Sequence, residues 1–215
     1  MISELSKTRS ALSVFINEIR DEIIQKDPIR FRKNLERIGF VIAIEISKSL
    51  NYSCRKIQTP LGLAEGSQLD ESPVLATILR AGLPMHQGML NVFDRSESAF
   101  VSAYRKYQND GEFEIEIEYL SSPSIEDKIV ILCDPMIATG ASVELAFKAL
   151  LNKGTPRKVF VTAAIASAPG LNHLKHVMPS NTSYVLGVID EELTARSYIV
   201  PGLGDAGDLA FGEKC

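Results

Sequence analysis

A loop of small residues joins an apolar strand to an amphipathic helix in the second half of the sequence. In IVILCDPMIATGAS the strand ends at Asp134, the loop ATGAS follows, and the helix begins near Ser142. Small residues let backbone N–H groups close around an anion at a helix N-terminus, and the hydroxyls of Thr139 and Ser142 add donors. The pattern indicates a phosphate monoester. Taken alone, the loop is also compatible with an ordinary turn in which Ser142 is the N-cap.

Two charged residues lie at the carboxyl ends of apolar strands. Asp134 ends the strand IVILCD and is suited to hold ribose hydroxyls, although an aspartate before a proline also commonly starts a turn. Arg80 follows the apolar run VLATIL and precedes Ala81 and Gly82. A guanidinium there could bind phosphate oxygens in pairs, or it could form a surface ion pair. Sites form at the carboxyl ends of parallel strands, so we favour the functional interpretation.

Composition limits what kind of protein can carry these residues. The chain has 215 residues, 45% of them hydrophobic, which suffices for one domain over residues 1–215 without disulfides or a structural metal. The three cysteines and three histidines lack the spacing of a metal site. The balance of 23 basic against 27 acidic residues argues against nucleic-acid binding. With no export signal and no membrane span, the sequence predicts a cytoplasmic protein.

Hydrophobic periodicity predicts the elements that must position the site. Two amphipathic helices open the chain within residues 10–50, and residues 51–72 have the composition of a loop. The segment EFEIEIEY alternates strictly and predicts half of an antiparallel hairpin after the turn 108–111. The predicted strands are 74–79, 99–104, 129–133, 159–165 and 184–189, and the later helices are 84–93, 142–153 and 171–177.

This alternation of apolar strands and helices predicts an α/β fold. Its sheet is doubly wound and mainly parallel, has helices on both faces, and carries a projecting antiparallel hairpin.

Three separated segments carry a resemblance to a known family. DPMIATGAS resembles the loop DPMLATGGS of uracil phosphoribosyltransferases, which binds 5-phosphoribosyl 1-pyrophosphate (PRPP). ILRAGLPMHQGML resembles the family's ILRAGLGM segment, and YIVPGLGDAGDLAFG resembles its C-terminal uracil-binding signature, here residues 198–212. The order and spacing of all three are far more specific than any one motif. The resemblance implies a type I phosphoribosyltransferase fold.

The resemblance also assigns roles to residues. It implies that the loop backbone grips the 5-phosphate, that Asp134 faces the ribose and that Arg80 meets the pyrophosphate. The implied catalytic residues are Arg80, Asp134 and Asp205. The implied PRPP-binding residues are Arg80, Arg105, Asp134, Pro135, Met136, Ile137, Ala138, Thr139, Gly140, Ala141, Ser142 and Asp205. The implied uracil-binding residues are Met136, Ala138, Ile199, Gly204, Asp205 and Ala206.

The implied activity is the conversion of uracil and PRPP to UMP and pyrophosphate. Mg²⁺ is the implied cofactor, carried mostly by substrate and water, and we expect no protein metal site. The resemblance further implies a homodimer or higher homo-oligomer and leaves activation by GTP open. Two alternatives remain: a regulatory protein that binds PRPP or UMP on the same scaffold, and an enzyme that uses a purine or cytosine.

Several residues depart from the family pattern or resist assignment. Ala141 replaces a glycine, Leu209 stands where arginine or lysine is usual, and Glu213 stands where threonine is common. The hairpin after Tyr104 lacks the usual Thr-Leu-x-Pro stretch. We expect His86 to be a solvated helix residue. His173 and His176 share a polar helix face without a third ligand, which makes a metal site there a weak hypothesis.

Overall fold

A computed structural model describes residues 1–107 and 113–213, with only the backbone described for residues 103–107 and 113–117. The α-helices are α1 (Ala11–Arg20), α2 (Pro28–Ser47), α3 (Leu83–Leu90), α4 (Ala141–Leu150), α5 (Ala168–Val177) and α6 (Ala206–Phe211). The strands are β1 (Ile2–Glu4), β2 (Tyr52–Thr59), β3 (Gly62–Leu69), β4 (Val74–Leu79), β5 (Ser98–Tyr107), β6 (Phe113–Ser121), β7 (Ile129–Cys133), β8 (Met136–Ile137), β9 (Lys158–Ser167), β10 (Thr182–Asp190), β11 (Glu192–Leu193) and β12 (Ile199–Val200). Short 3₁₀ turns cover Leu5–Lys7, Ile24–Lys26 and Leu151–Lys153.

One large sheet organises these elements. Its strand order is β1-β10-β9-β7-β4-β5-β6, with β8 paired to β9 outside this path. All of these pairings are parallel except that of β5 with β6, which is antiparallel. The mainly parallel α/β fold and the β5–β6 hairpin are therefore confirmed. The predicted turn 108–111 lies outside the described residues.

Alternate residues of the central strands face two different helical layers. In β7, Ile131 and Cys133 pack in the core cluster that contains the buried faces of α1, α2 and α3. Val130 and Leu132 pack in the opposite cluster with α4 and α5. Because side chains alternate along a strand, a strand buried on both faces is mostly apolar. This is why IVILC and VLATIL show no polar alternation, although VLATIL includes the buried Thr77.

The N-terminal helices bring the first motif into place. Asp27 caps α2 by accepting hydrogen bonds from the backbone N–H groups of Ile29 (2.9 Å) and Arg30 (3.2 Å), and Pro28 occupies the first helical turn. Helix α2 then packs closely against α3, where a side-chain carbon at Gly88 would lie 1.9 Å from the carbonyl oxygen of Glu36. This close approach fixes α3 and hence the turn at Arg80 that precedes it.

The structure corrects several details. Residues 51–72 do not form a loop but mostly an antiparallel hairpin, β2–β3. The two predicted helices within residues 10–50 are confirmed as α1 and α2. Residues 198–212, whose glycine-rich and apolar composition predicts a loop held against the body of the protein, contain the short strand β12 and the helix α6. His86 is not solvated: it is 4% exposed, and its Nε2 lies 3.1 Å from Ser98 Oγ.

Within the described residues, the helices are all too short or too polar to cross a membrane.

The contact between α2 and α3 generates a stability prediction. Gly88→Ala should lower the free energy of unfolding by about 1–3 kcal/mol, because the added carbon collides with backbone that cannot move aside. In a helix with open space around the glycine, the same change would raise the free energy of unfolding by about 0.5–1 kcal/mol. The sign of the measured change therefore shows whether Gly88 is closely packed. Denaturant unfolding measures the effect, with Gln87→Ala at the adjacent exposed position as the control. A Gly88→Ala variant as stable as the wild type would contradict the close packing.

Candidate active site

The carboxyl ends of two neighbouring strands place Arg80 and Asp134 at one edge of the sheet. Strand β4 ends at Leu79 and β7 ends at Cys133, and the two strands pair in parallel with Thr77 opposite Cys133. Each charged residue is the first one past its strand. The sequence predicted this convergence, and the structure brings the two residues to the same edge.

The loop after Asp134 is held by hydrogen bonds that leave the start of α4 open. Ser167 Oγ donates to the carbonyl oxygen of Ala138 (2.5 Å) and accepts from the N–H of Gly170 (2.9 Å). Gly140 has a φ of 85°, a left-handed conformation that favours glycine, and its added side-chain carbon would lie 2.9 Å from Leu174 Cγ. The Thr139 hydroxyl accepts from the N–H of Ala141 (3.3 Å), and its own proton has no acceptor among the described residues.

Three of the loop residues have no accessible side chain that could contact a ligand. Pro135 and Gly140 are buried, and Ile137 is 1% exposed inside the core. Their contribution to binding would therefore come from the backbone. Met136 and Ala138 are half-buried, and Ser142 lies in the first turn of α4.

Asp134 has an unusual protonation equilibrium. Burial raises the pKa of its carboxyl group to about 7, and the nearby Asp205 carboxylate acts in the same direction. The N–H of Met136, which donates to Asp134 Oδ1 (3.4 Å), opposes the rise. Part of the residue surface still reaches solvent, although its surroundings are mostly protein. A carboxyl group that titrates near neutral pH is a frequent property of functional sites.

Cys133, directly before Asp134, is not a candidate nucleophile. Burial raises the pKa of its thiol to about 12, and the residue is fully buried. The thiolate, which is the reactive form, is therefore scarce at neutral pH.

Arg80 connects the strand edge to the C-terminal segment. Its Nη2 donates to the carbonyl oxygen of Gly212 (2.9 Å) and lies 3.5 Å from Asp208 Oδ1. Its Nε is buried and has no hydrogen-bond partner among the described residues. A buried N–H without a partner is costly. The side chain as a whole is 35% exposed, so Arg80 remains accessible to a ligand.

The C-terminal segment 198–212 folds back over this edge. Asp205 caps α6, with Oδ1 accepting from the N–H groups of Gly207 (2.8 Å) and Asp208 (3.0 Å). A side-chain carbon at Gly207 would lie 3.9 Å from Arg80 Nη2, which shows how closely the segment approaches the arginine. Ile199 and Ala206 are each 4% exposed, whereas Gly204 and Asp205 are exposed.

The structure therefore gathers most of the residues chosen from the sequence. The Asp134 and Asp205 carboxylates are close enough to interact, and Arg80 reaches the helix that Asp205 caps. Arg105 lies in β5, but its side chain is outside the described residues. Sequence reasoning missed Ser167 and Asp208, and also Asp190, which ends β10. Only Asp208 had a sequence signal, because it belongs to the GDAGD stretch.

The described residues contain no group of three or more His, Cys, Asp or Glu side chains that could hold a metal ion. The two histidines of α5 do not form such a group: His173 Nε2 lies 2.7 Å from Glu144 Oε2, and His176 Nδ1 lies 2.7 Å from the Asn172 carbonyl oxygen.

Comparison with known proteins now decides the family. A family model described as uracil phosphoribosyltransferase matches residues 7–213. The chain belongs to the uracil phosphoribosyltransferase family. A relative named uracil phosphoribosyltransferase from Porphyromonas gingivalis is 53% identical over 213 residues, which cover 99% of each chain. One of the same name from Pyrococcus furiosus is 38% identical over 206 residues, which cover 94% of this chain and 88% of the relative.

A solved structure has the same fold as this chain over nearly its whole length. The AQ2163 protein from Aquifex aeolicus superposes with a TM-score of 0.86 at 31% identity, over 99% of this chain and 98% of that chain. The shared fold is the mainly parallel α/β fold that the sequence predicted.

Two departures from the usual uracil phosphoribosyltransferase sequence have a structural account. Ala141 is the first residue of α4 and follows the left-handed Gly140, so its methyl group sits on ordinary helical backbone. Leu209 is partly buried and packs against the core cluster beneath α2, where a charged side chain would be costly. Nothing in the structure explains Glu213, which is exposed.

The pKa of Asp134 generates a prediction about stability and pH. The folded protein binds this proton more tightly than the unfolded chain, so raising the pH from about 4 to about 7 costs stability. Asp134→Asn removes the cost, and its free energy of unfolding should exceed that of the wild type by up to about 4 kcal/mol above pH 7. Denaturant titrations at pH 4, 6 and 8 measure the difference.

Asp94→Asn, at an exposed position, controls for the loss of one negative charge. A constant difference between Asp134→Asn and the wild type from pH 4 to pH 8 would contradict the raised pKa.

Proposed function

We propose that the protein transfers the phosphoribosyl group of PRPP to N1 of uracil, which yields UMP and pyrophosphate. The observation that carries the proposal is the meeting of three family motifs at one sheet edge, where Arg80, Asp134 and the Asp205 segment adjoin. Each motif supplies a different part of the reaction. One holds the 5-phosphate and ribose, one the pyrophosphate, and one the base.

The loop 138–142 is the proposed 5-phosphate site. It precedes a ten-residue helix, whose first N–H groups have no partner within the helix and carry a partial positive charge. Left-handed backbone at Gly140 turns the chain so that consecutive N–H groups can converge on one anion. Phosphate binding here needs no basic side chain, which agrees with the acidic composition of the protein.

Arg80 and Asp134 are proposed to stabilise the charges that develop while the glycosidic bond forms. Pyrophosphate leaves the anomeric carbon with growing negative charge, while the ribose acquires oxocarbenium character. The Arg80 side chain is 35% exposed, and its guanidinium can donate to the leaving group. The Asp134 carboxylate, ionised above about pH 7, can hold the ribose hydroxyls and stabilise the positive ring. Catalysis then rests on positioning and electrostatics without a covalent intermediate.

Mg²⁺ fits this site as part of the substrate. The described residues of the site include no group of three acidic, histidine or cysteine side chains that could form an all-protein cage, while Mg²⁺ keeps several waters and readily binds phosphate oxygens. We therefore propose that the ion arrives bound to PRPP. Bound there, it would neutralise part of the pyrophosphate charge.

Base selection is proposed to depend on the backbone of residues 199–206. Uracil presents an acceptor at O4 and a donor at N3, and cytosine reverses both. Backbone groups in a fixed segment can satisfy only one of these patterns, and the other leaves buried polar groups unpaired. The apolar side chains of Ile199 and Ala206 are buried and hold the segment in place.

Two further expectations belong to the proposal. Arg105 would act on PRPP from the β5–β6 hairpin, which would also exclude water from the reacting carbon. The protein would act as a homodimer or larger homo-oligomer, consistent with apolar residues exposed on the β2–β3 hairpin, among them Ile57, Leu61 and Leu63.

Replacing Arg80 tests the proposed leaving-group contact. Arg80→Ala should stay folded and lower turnover of uracil and PRPP by about 10² to 10³, the loss typical of one transition-state stabiliser. Arg80→Lys should recover only part of the rate, because an ammonium lacks the planar paired donors. Steady-state UMP formation is the measurement, with the surface variant Arg157→Ala as the control. Unchanged turnover in folded Arg80→Ala would reassign Arg80 to a surface ion pair.

Base preference tests the proposed reading segment. Wild-type protein should use uracil and discriminate against cytosine by about 10⁴ or more. Gly204→Val should severely reduce uracil use, because Gly204 has a φ of 94° and its added side chain would enter open space beside the site. Leu203→Ala should change the rate more than the preference, because Leu203 is 4% exposed and its truncation spares the backbone.

Purified protein incubated with PRPP, Mg²⁺ and one nucleobase at a time gives the comparison through nucleotide and pyrophosphate yields. Efficient use of cytosine by the wild type, or undiminished use of uracil by Gly204→Val, would show that residues 199–206 do not recognise the base.

A further inference from the structure

A buried carboxylate lies behind the base-reading segment and has no part in the chemistry described above. Asp190 is the last residue of β10 and is 6% exposed. Its Oδ1 accepts from Arg20 Nη2 at 2.7 Å, and its Oδ2 accepts from the N–H of Gly202 at 3.0 Å. One carboxylate therefore joins α1 to the turn at Gly202, within the base-reading segment of residues 199–206.

The two oxygens of Asp190 have different partners, the Arg20 guanidinium and the Gly202 N–H. An isolated carboxylate in such a place would be strongly disfavoured, and the Arg20 guanidinium, whose side chain is 19% exposed, neutralises it. The second oxygen is then available as a charged acceptor for one backbone N–H. Charge-assisted hydrogen bonds are shorter and about twice as strong as neutral ones. Gly202 is therefore fixed more firmly than an ordinary turn residue.

A second contact fixes the carbonyl side of the same turn. In the amide orientation that satisfies its hydrogen bonds, Gln25 Nε2 donates to the carbonyl oxygens of Leu203 (2.8 Å) and Ile19 (3.0 Å). The N–H of Gly202 thus binds Asp190, which is paired with Arg20 of α1. The carbonyl of Leu203 binds Gln25, which lies in the 3₁₀ turn after α1. The next residue is Gly204, where the exposed reading backbone begins.

We propose that Arg20 and Asp190 are positioning residues for base recognition, acting through the Gly202 N–H. This inference rests on the proposed function, since it assigns a role in reading uracil. The pair does not touch the base. It sets the position of the backbone groups of residues 204–206, and errors of about 1 Å in such groups can cost about 10²-fold in rate. Among the described residues, the hydrogen bonds of Asp190 go to Arg20 and Gly202 and none goes to β4, β7 or α4, where the 5-phosphate, ribose and pyrophosphate would bind.

Asp190→Asn tests this role by weakening the bond to Gly202 while keeping the side-chain shape. The KM for uracil should rise about 10- to 100-fold, the equivalent of losing one hydrogen bond to a charged group, while the KM for PRPP changes less than about two-fold. Arg20→Met should act in the same direction. The double variant should be no worse than the more impaired single variant, because Arg20 acts only through Asp190.

Arg157→Met is the matched control. Arg157 also pairs with a carboxylate at 2.6 Å, Glu71, but the pair is on the surface and has no bond to residues 198–212. This variant should leave both KM values unchanged. Arg20→Lys, which keeps the charge, should restore part of the affinity for uracil relative to Arg20→Met.

Amide hydrogen exchange of the wild type tests the same contact without a variant and without turnover. The Gly202 amide should exchange much more slowly than the exposed Gly204 amide, and Asp190→Asn should remove that protection. If the wild type forms no UMP, the proposed function fails while the exchange result still reports on the contact. If the wild type forms UMP but the variants raise both KM values equally, or if Gly202 exchanges as fast as Gly204, the positioning role is overturned.

Discussion

Partial burial of charged groups at the carboxyl edge of the sheet is the constraint on which the rest of the site depends. Parallel strands covered by helices on both faces leave polar groups at this edge with few partners in bulk water. A charged group that is buried there is stabilised by a protein partner, by a change of protonation or by a bound ligand. The described residues show all three outcomes within the same part of the molecule.

These outcomes separate the groups that bind ligands from those that hold the structure. Asp190 has a partner for each oxygen and acts as a fixed support. Asp134 has one weak backbone donor, and burial raises the pKa of its carboxyl group to about 7. Arg80 has a buried Nε without a partner among the described residues. A ligand with hydroxyl and phosphate groups would satisfy Asp134 and Arg80 together, which is the pattern that PRPP presents.

The parts of the fold with strong hydrophobic patterns could be predicted from the sequence. VLATIL and IVILC are buried on both faces, and strands of this kind are apolar throughout. The hairpin β2–β3 could not be predicted, because nearly every residue in β2 is exposed and no alternation results. The prediction for His86 was wrong because α3 contacts both α2 and the sheet, so a polar residue on it is buried against Ser98 and Phe100.

The site was predictable where it coincides with strand ends and compact motifs, and less so where it depends on distant partners. Arg80, Asp134 and Asp205 follow from local sequence and family resemblance. Arg20 and Asp190 are 170 residues apart, and neither has a local pattern that indicates the other. Such pairs become visible only when the fold brings α1 beside the end of β10.

A crystal structure with bound UMP tests the central claim most directly, because UMP carries both the 5-phosphate and the base. The account predicts that the phosphate accepts hydrogen bonds from backbone N–H groups within residues 138–142. It also predicts that uracil O4 and N3 bind backbone groups within residues 199–206, with Asp134 at the ribose hydroxyls. A phosphate held by side chains elsewhere, or a base whose O4 and N3 bind only side chains, would contradict it.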